Sequence, residues 1–164
     1  MTEDIRICMP ACATAPGFAR TLLMRRLKKW NYSHISDDAA LIAAELVTNA
    51  VKATPGEIIR FVCRWEYGAL YIAVWDRSPG RPAPPPTADP ALGDPTDLDF
   101  DTNGHRGLQI VDALALEWGY RPDPADPSAD PSYRGKWVWA RAAAPPSSED
   151  RSTAGTLPLS AGEE

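Results

Sequence analysis

Apolar positions recur along this chain with two periods. Residues 4–9 (DIRICM) alternate and predict a strand, with Pro10 at its end. Over 16–30, Phe18, Leu22, Leu23, Leu27 and Trp30 fall at helical spacing and basic residues fill the other side. Pro16 suits a first helical turn, and Asn31 and Tyr32 break the run. A second helix is predicted over 36–54. Ser36 is its expected N-cap, Asp37 and Asp38 favour its positive end, and Pro55-Gly56 stops it. Its Ala, Leu, Ile and Val content predicts burial over most of its circumference. Alternation returns over 57–65 (EIIRFVCRW), where Ile59, Phe61, Cys63 and Trp65 share a face. It continues over 69–76 (ALYIAVWD), with Glu66-Tyr67-Gly68 as the turn between. After an interruption at 77–104, Leu108, Ile110, Val111 and Leu114 predict a helix from about Arg106 to Leu116. Short strands follow at 117–120 and 135–141 (GKWVWAR).

The order β-α-α-β-β-loop-α-β-β lacks the alternation that builds a parallel sheet. It predicts an α+β fold, a two-layer α/β sandwich in which a mixed, mostly antiparallel sheet is covered on one face by three helices.

Proline accounts for the interruptions. Of 17 prolines, seven lie between Pro79 and Pro95, four between Pro122 and Pro131, and three in the tail, at Pro145, Pro146 and Pro158. Regular helix or central strand is not expected there. Setting aside 77–104, 121–134 and 143–164 leaves 100 residues, which hold all six tryptophans and suffice for one core. One domain is expected over 1–142, with a long Pro/Asp-rich excursion at 77–104 and a disordered tail at 143–164.

Charge and cysteine content narrow the function classes. The net charge is −5, whereas a nucleic-acid binder usually shows a basic domain or stripe. The one basic cluster, Arg25, Arg26, Lys28 and Lys29, reads as the solvated face of a helix. No direct nucleic-acid contact is expected. Cys8, Cys12 and Cys63 form no CxxC, and His34 and His105 are the only histidines, so there is no zinc pattern. Free buried thiols in a reducing cytosol are the expectation. MTEDIRICMP has no apolar signal-peptide core, and no apolar run approaches the ~18 residues of a membrane span. A cytoplasmic location without membrane contact is therefore expected.

Three places carry groups suited to chemistry. Glu45 and Asn49 stand at i and i+4 on one face of an otherwise apolar helix, with Lys52 one turn further on. The plain reading is a solvent-facing stripe. Asparagine is a poor helix-interior residue, however, and an amide oxygen beside a carboxylate suits a hard cation such as Mg²⁺. Asp76 ends a strand in VWDRSPGRP. It is either a turn-initiating aspartate or a carboxylate held to accept a hydrogen bond from a ligand amine, with Gly80 letting backbone approach the ligand. Gly104-His105-Arg106-Gly107 precedes a helix. This is either a simple loop-to-helix entry or an anion site made of free N–H groups, the helix dipole and the Arg106 cation.

Taken in order, these features resemble the GHKL (Bergerat-fold) ATPase superfamily, in particular the short single-domain ATP-binding proteins akin to the anti-sigma-factor serine/threonine kinases of actinobacteria. The resemblance spans roughly 10–141. It rests on Glu45-Leu-Val-Thr-Asn49-Ala-Val, on Val74-Trp-Asp76-Arg-Ser-Pro-Gly80, on Arg106-Gly107-Leu-Gln-Ile-Val-Asp-Ala-Leu-Ala115 with Trp118-Gly119, and on Gly135-Lys-Trp-Val-Trp139-Ala. It implies ATP and Mg²⁺ as cofactors. By that resemblance Asn49 coordinates the Mg²⁺ bridging the phosphates, and Lys52 lies in the same binding region. Asp76 binds the adenine amino group and Gly80 borders the adenine pocket. Gly107, with Gly104, His105, Arg106 and Leu108, cradles phosphates, and 77–104 is the lid. Glu45 stands where the kinases place the base that activates the attacking hydroxyl.

The function this implies is phosphorylation of a serine or threonine on an anti-sigma antagonist protein, together with sigma-factor binding and pairing of two copies. The alternative is a partner-docking module of the same fold that binds nucleotide weakly or lacks catalysis. His105 motivates it, because the family's second glycine box has glycine at that position. A two-component histidine-kinase domain is not expected, since no helical hairpin with a phosphoacceptor histidine precedes the first strand.

Overall fold

The computed structural model describes residues 4–78, 103–123 and 135–142, and for 103–106 the backbone only. The chain forms β1 (Ile5–Pro10), α1 (Ala15–Lys29), a 3-10 turn (Ser33–Ile35), α2 (Ser36–Ala53), β2 (Ile58–Glu66), β3 (Ala69–Asp76), α3 (Asn103–Leu114), β4 (Ala115–Pro122) and β5 (Lys136–Ala142). The expected elements occur in the expected order, so the fold is α+β. Most of the 77–104 segment expected to be a lid, most of the second Pro/Asp loop and the tail lie outside the described residues.

The sheet has the order β1-β2-β3-β5-β4, and every pairing is antiparallel. This corrects the expectation of a mixed sheet. β4 does run in the same direction as β3, but β5 inserts between them, so no parallel pair forms. The β2–β3 hairpin closes on two residues, Tyr67 and Gly68, both at positive φ. That backbone matches the twist of the flanking strands, and Gly68 adopts it without strain.

One face of the sheet is apolar because the strands alternate. Ile59, Phe61 and Cys63 of β2, Leu70, Ile72 and Val74 of β3, and Val138, Ala140 and Ala142 of β5 are all buried in one cluster. Leu23 and Leu27 of α1, Ile42, Leu46 and Val47 of α2, and Val111 of α3 fill the same cluster, so the helices cover that face. α2 is the central helix, packed on α1 and α3 and directly on β3 and β5. The other face carries arginines laid over aromatic rings. The Arg60 guanidinium sits 4.7 Å from the Trp75 ring centre, and that of Arg64 sits 4.9 Å from the Tyr71 ring centre. No helix among the described residues is long and apolar enough to cross a membrane.

Several local expectations are corrected. α1 buries Ala15, Ala19, Leu23 and Leu27, a strict i, i+4 stripe, which turns Phe18 outward to 54% exposure. Its end is a Schellman motif. Asn31 takes the left-handed conformation at φ 65°, and the Tyr32 and Asn31 amides donate to the Leu27 and Lys28 carbonyls. Ser36 does not cap α2, because its hydroxyl donates to the Ser33 carbonyl of the preceding 3-10 turn. α3 begins at Asn103 and ends at Leu114, several residues earlier at each end than the apolar pattern implies. Ala115 is drawn into pairing with Ala142, and a register shift before Glu117 leaves Leu116 exposed. All three cysteines are free, but only Cys63 is buried, while Cys8 and Cys12 are exposed.

Candidate functional site

α2 carries Glu45 and Asn49 on the side that meets α3. Both are half-buried, as their positions at the edge of a mostly apolar circumference require. The residue facing them is Gly107, in the second turn of α3. A Cβ built there would lie 2.5 Å from Glu45 Oε2 and 3.6 Å from Asn49 Oδ1. A side chain there would have to displace the flexible end of Glu45. Asn49 Nδ2 is buried and has no hydrogen-bond partner among the described residues. Burying an amide N–H without a partner is costly, and such a group in a native fold calls for a partner the bare chain lacks. Among the described residues the helix pair thus holds one carboxylate, one amide with an unused donor, and one glycine that faces both.

Leu108 is buried beside Gly107, in the wall of the core. Lys52 is exposed in the last turn of α2, outside this junction. Gly104, His105 and Arg106 belong to the first turn of α3, not to a loop before it. The unbonded N–H groups of that helix end lie before Arg106, and Gly107 is already inside the hydrogen-bonded helix. The side chains of 104–106 and all of Gly80 lie outside the described residues.

Asp76, the last residue of β3, points into the helix-covered face and is 2% exposed. Its Oδ1 accepts the Ser78 amide at 2.8 Å, which is the aspartate turn that Asp-x-Ser-Pro suggests. The same oxygen accepts Lys136 Nζ at 2.7 Å. The two side chains are cross-strand neighbours, since Asp76 pairs with Lys136 in the β3–β5 register. Lys136 Nζ also donates to the Ser78 carbonyl at 3.2 Å. Among the described residues no donor reaches Asp76 Oδ2. Burial pushes the Asp76 carboxyl above its usual range, and the Lys136 and Ser78 contacts pull it back only in part. Gly135, just before Lys136, lies flat on the Trp75 ring, where a Cβ would stand 2.4 Å from Cε2 and 2.5 Å from the Asp76 carbonyl oxygen.

Lys136 is the residue of this site that the sequence pattern did not single out. Its signal is faint but present. In KWVWARA the inward positions are 136, 138, 140 and 142, so a lysine stands at the head of a buried row. A buried lysine requires an acidic partner, and the partner lies 60 residues away in the chain.

Glu45 and Asn49 Oδ1 are oxygen donors of the kind Mg²⁺ accepts. No group of three or more His, Cys, Asp or Glu side chains able to hold a metal is found among the described residues. A cation here would need ligand or water oxygens to complete its shell. No protein-family model matches the chain, and no curated protein matches it.

Proposed function

We propose that this chain is an ATP-binding regulatory protein of the GHKL, Bergerat-fold kind, resembling the anti-sigma-factor kinases. It would bind a sigma factor and transfer phosphate to a serine or threonine of an anti-sigma antagonist. The observation that carries this reading is the Glu45–Asn49–Gly107 junction. There, among the described residues, a buried amide donor has no partner, and a glycine faces the carboxylate.

In this reading Asn49 and the free N–H groups of the first turn of α3 hold the phosphate end of the nucleotide, and Gly107 keeps the approach open. Asn49 Oδ1 supplies an oxygen to Mg²⁺, with Nδ2 free for a phosphate oxygen. Asp76 accepts the exocyclic amine of adenine through Oδ2. When bound, Mg·ATP supplies the phosphoryl group and neutralises its charge. Glu45 then accepts the proton from the attacking hydroxyl, a role that needs a carboxylate beside the phosphates and not buried away from them. α2 ties the parts together, since it carries Glu45 and Asn49 and packs on β3, β5 and α3.

Calorimetry with Mg·ATP tests the first step, with Asp76→Asn as control. Saturable heat in the wild type that weakens in the variant supports the reading. No heat at millimolar nucleotide rejects it. Phosphotransfer from labelled ATP to a panel of antagonist domains, abolished by Glu45→Ala, tests the second step.

The second reading is a docking module that keeps the fold without the chemistry. It is favoured by His105, which stands where the family's second glycine box has glycine. Nucleotide binding without phosphotransfer to any antagonist would favour it.

A further inference from the structure

Among the described residues, the ion pair that joins the end of β3 to the start of β5 leaves a donor and an acceptor unused. Lys136 carries three ammonium hydrogens. Two are engaged, by Asp76 Oδ1 at 2.7 Å and by the Ser78 carbonyl at 3.2 Å. Among the described residues none takes the third. Asp76 uses Oδ1 for both of its contacts, and Oδ2 receives no donor. Both side chains are held by the sheet register and lie almost wholly inside, at 7% and 3% exposure. Lys136 and Asp76 therefore form a donor–acceptor pair held in place by the sheet register.

A donor next to an acceptor is the complement of a planar group that presents an acceptor next to a donor. The N1–N6 edge of adenine does so, with a bare ring nitrogen beside an amine. Guanine and hypoxanthine present the reverse, a carbonyl oxygen beside a ring N–H. The geometry points to Lys136 as a specificity-determining residue: its third N–H donates to adenine N1 while Asp76 Oδ2 accepts from the N6 amine. This inference rests on the ATP reading above and adds a residue to it. In place of a lone aspartate, a two-point contact reads the base. The same pair disfavours guanine, whose carbonyl would face the carboxylate and whose ring N–H would face the ammonium.

The test is calorimetry with Mg·ATP and Mg·1-deaza-ATP, which keeps the N6 amine and replaces N1 by C–H. Leaving a charged donor without its acceptor corresponds to a loss of about 10- to 100-fold in affinity. The wild type is expected to bind 1-deaza-ATP weaker by that factor. In Lys136→Met, checked for folding by circular dichroism, the ratio between the two nucleotides should fall to near one. A wild type that binds ATP and 1-deaza-ATP equally overturns the role of Lys136 and leaves ATP binding intact. A wild type that binds neither overturns both. The wild-type comparison needs no variant, so an unfolded Lys136→Met does not remove the test.

Discussion

Replacing Lys136 by methionine keeps the length of the side chain and removes its charge. Asp76 then stays at the end of β3 with its carboxylate 3% exposed and no cation beside it. Only the Ser78 amide still donates to it. Removing one partner of a buried ion pair costs about 3–5 kcal/mol, because an uncompensated charge remains. For a domain of this size that corresponds to a fall of roughly 10–20 °C in Tm. The loss has a sign in pH. The folded-state pKa of Asp76 already lies above the unfolded value, because burial disfavours the charged form. Without Lys136 it rises further, so the folded variant holds a proton that the unfolded chain has released. Its stability is therefore highest below the unfolded carboxylate pKa and falls as pH rises through the folded one. Thermal melts of Lys136→Met should accordingly show a deficit at pH 7 that shrinks on acidification toward pH 4. Asp76→Asn alone should also be destabilised, since it strands the ammonium. The double variant should recover most of the loss, as buried pairs replaced together are often close to neutral. Additive losses in the double variant, or a Lys136→Met deficit under ~1 kcal/mol at pH 7, would refute the claim that the two side chains act as one buried pair.

Three further outcomes follow from single contacts. Gly107→Ala places a Cβ against the flexible end of Glu45, so stability should hold or rise by up to ~1 kcal/mol from helix propensity, while Mg·ATP affinity drops at least about tenfold in calorimetry. Glu66 is partly opposed by burial, but hydrogen bonds from Arg64 and Arg141 hold its carboxyl below the usual range. Its contribution is present above the unfolded pKa and lost as pH falls through the lower folded value, so acid melts of Glu66→Gln should show a shallower decline than those of wild type. Two cysteines should react quickly with a thiol reagent in the native protein and the third only after denaturation. Cys12 should lead, because its contacts with Thr14 lower its pKa, and Cys63 should lag, because burial pushes its thiol up.

The elements most legible in the sequence are those whose pattern is local. Ile59, Phe61 and Cys63 alternate strictly, and the hairpin follows from that alternation with Tyr67-Gly68 between. Pro55-Gly56 and Asn31 each stop a helix where their backbone preferences require. Glu45 and Asn49 could be picked out because a polar i, i+4 pair interrupts an apolar helix. What required the three-dimensional fold is long-range. Phe18 looked like core until the Ala15–Ala19–Leu23–Leu27 stripe fixed the face of α1. Ser36 looked like a cap, but a turn three residues upstream takes its hydroxyl. Lys136 was not singled out among the residues of its strand, and only the β3–β5 register sets it against Asp76. That Gly107 presses on Glu45 depends on how α3 crosses α2, which no spacing in the sequence encodes.

The central claim is that the α2–α3 junction holds the phosphates of a nucleotide. Titrating Mg·ATP into ¹⁵N-labelled protein reads it directly, because the Asn49 side-chain amide and the Gly107 backbone amide each give a separate signal. The account predicts that both shift together, saturably and only with Mg²⁺ present, while amides of the exposed basic end of α1 stay in place. Unmoved Asn49 and Gly107 signals at millimolar Mg·ATP, or shifts confined to Arg25, Arg26, Lys28 and Lys29, would contradict it.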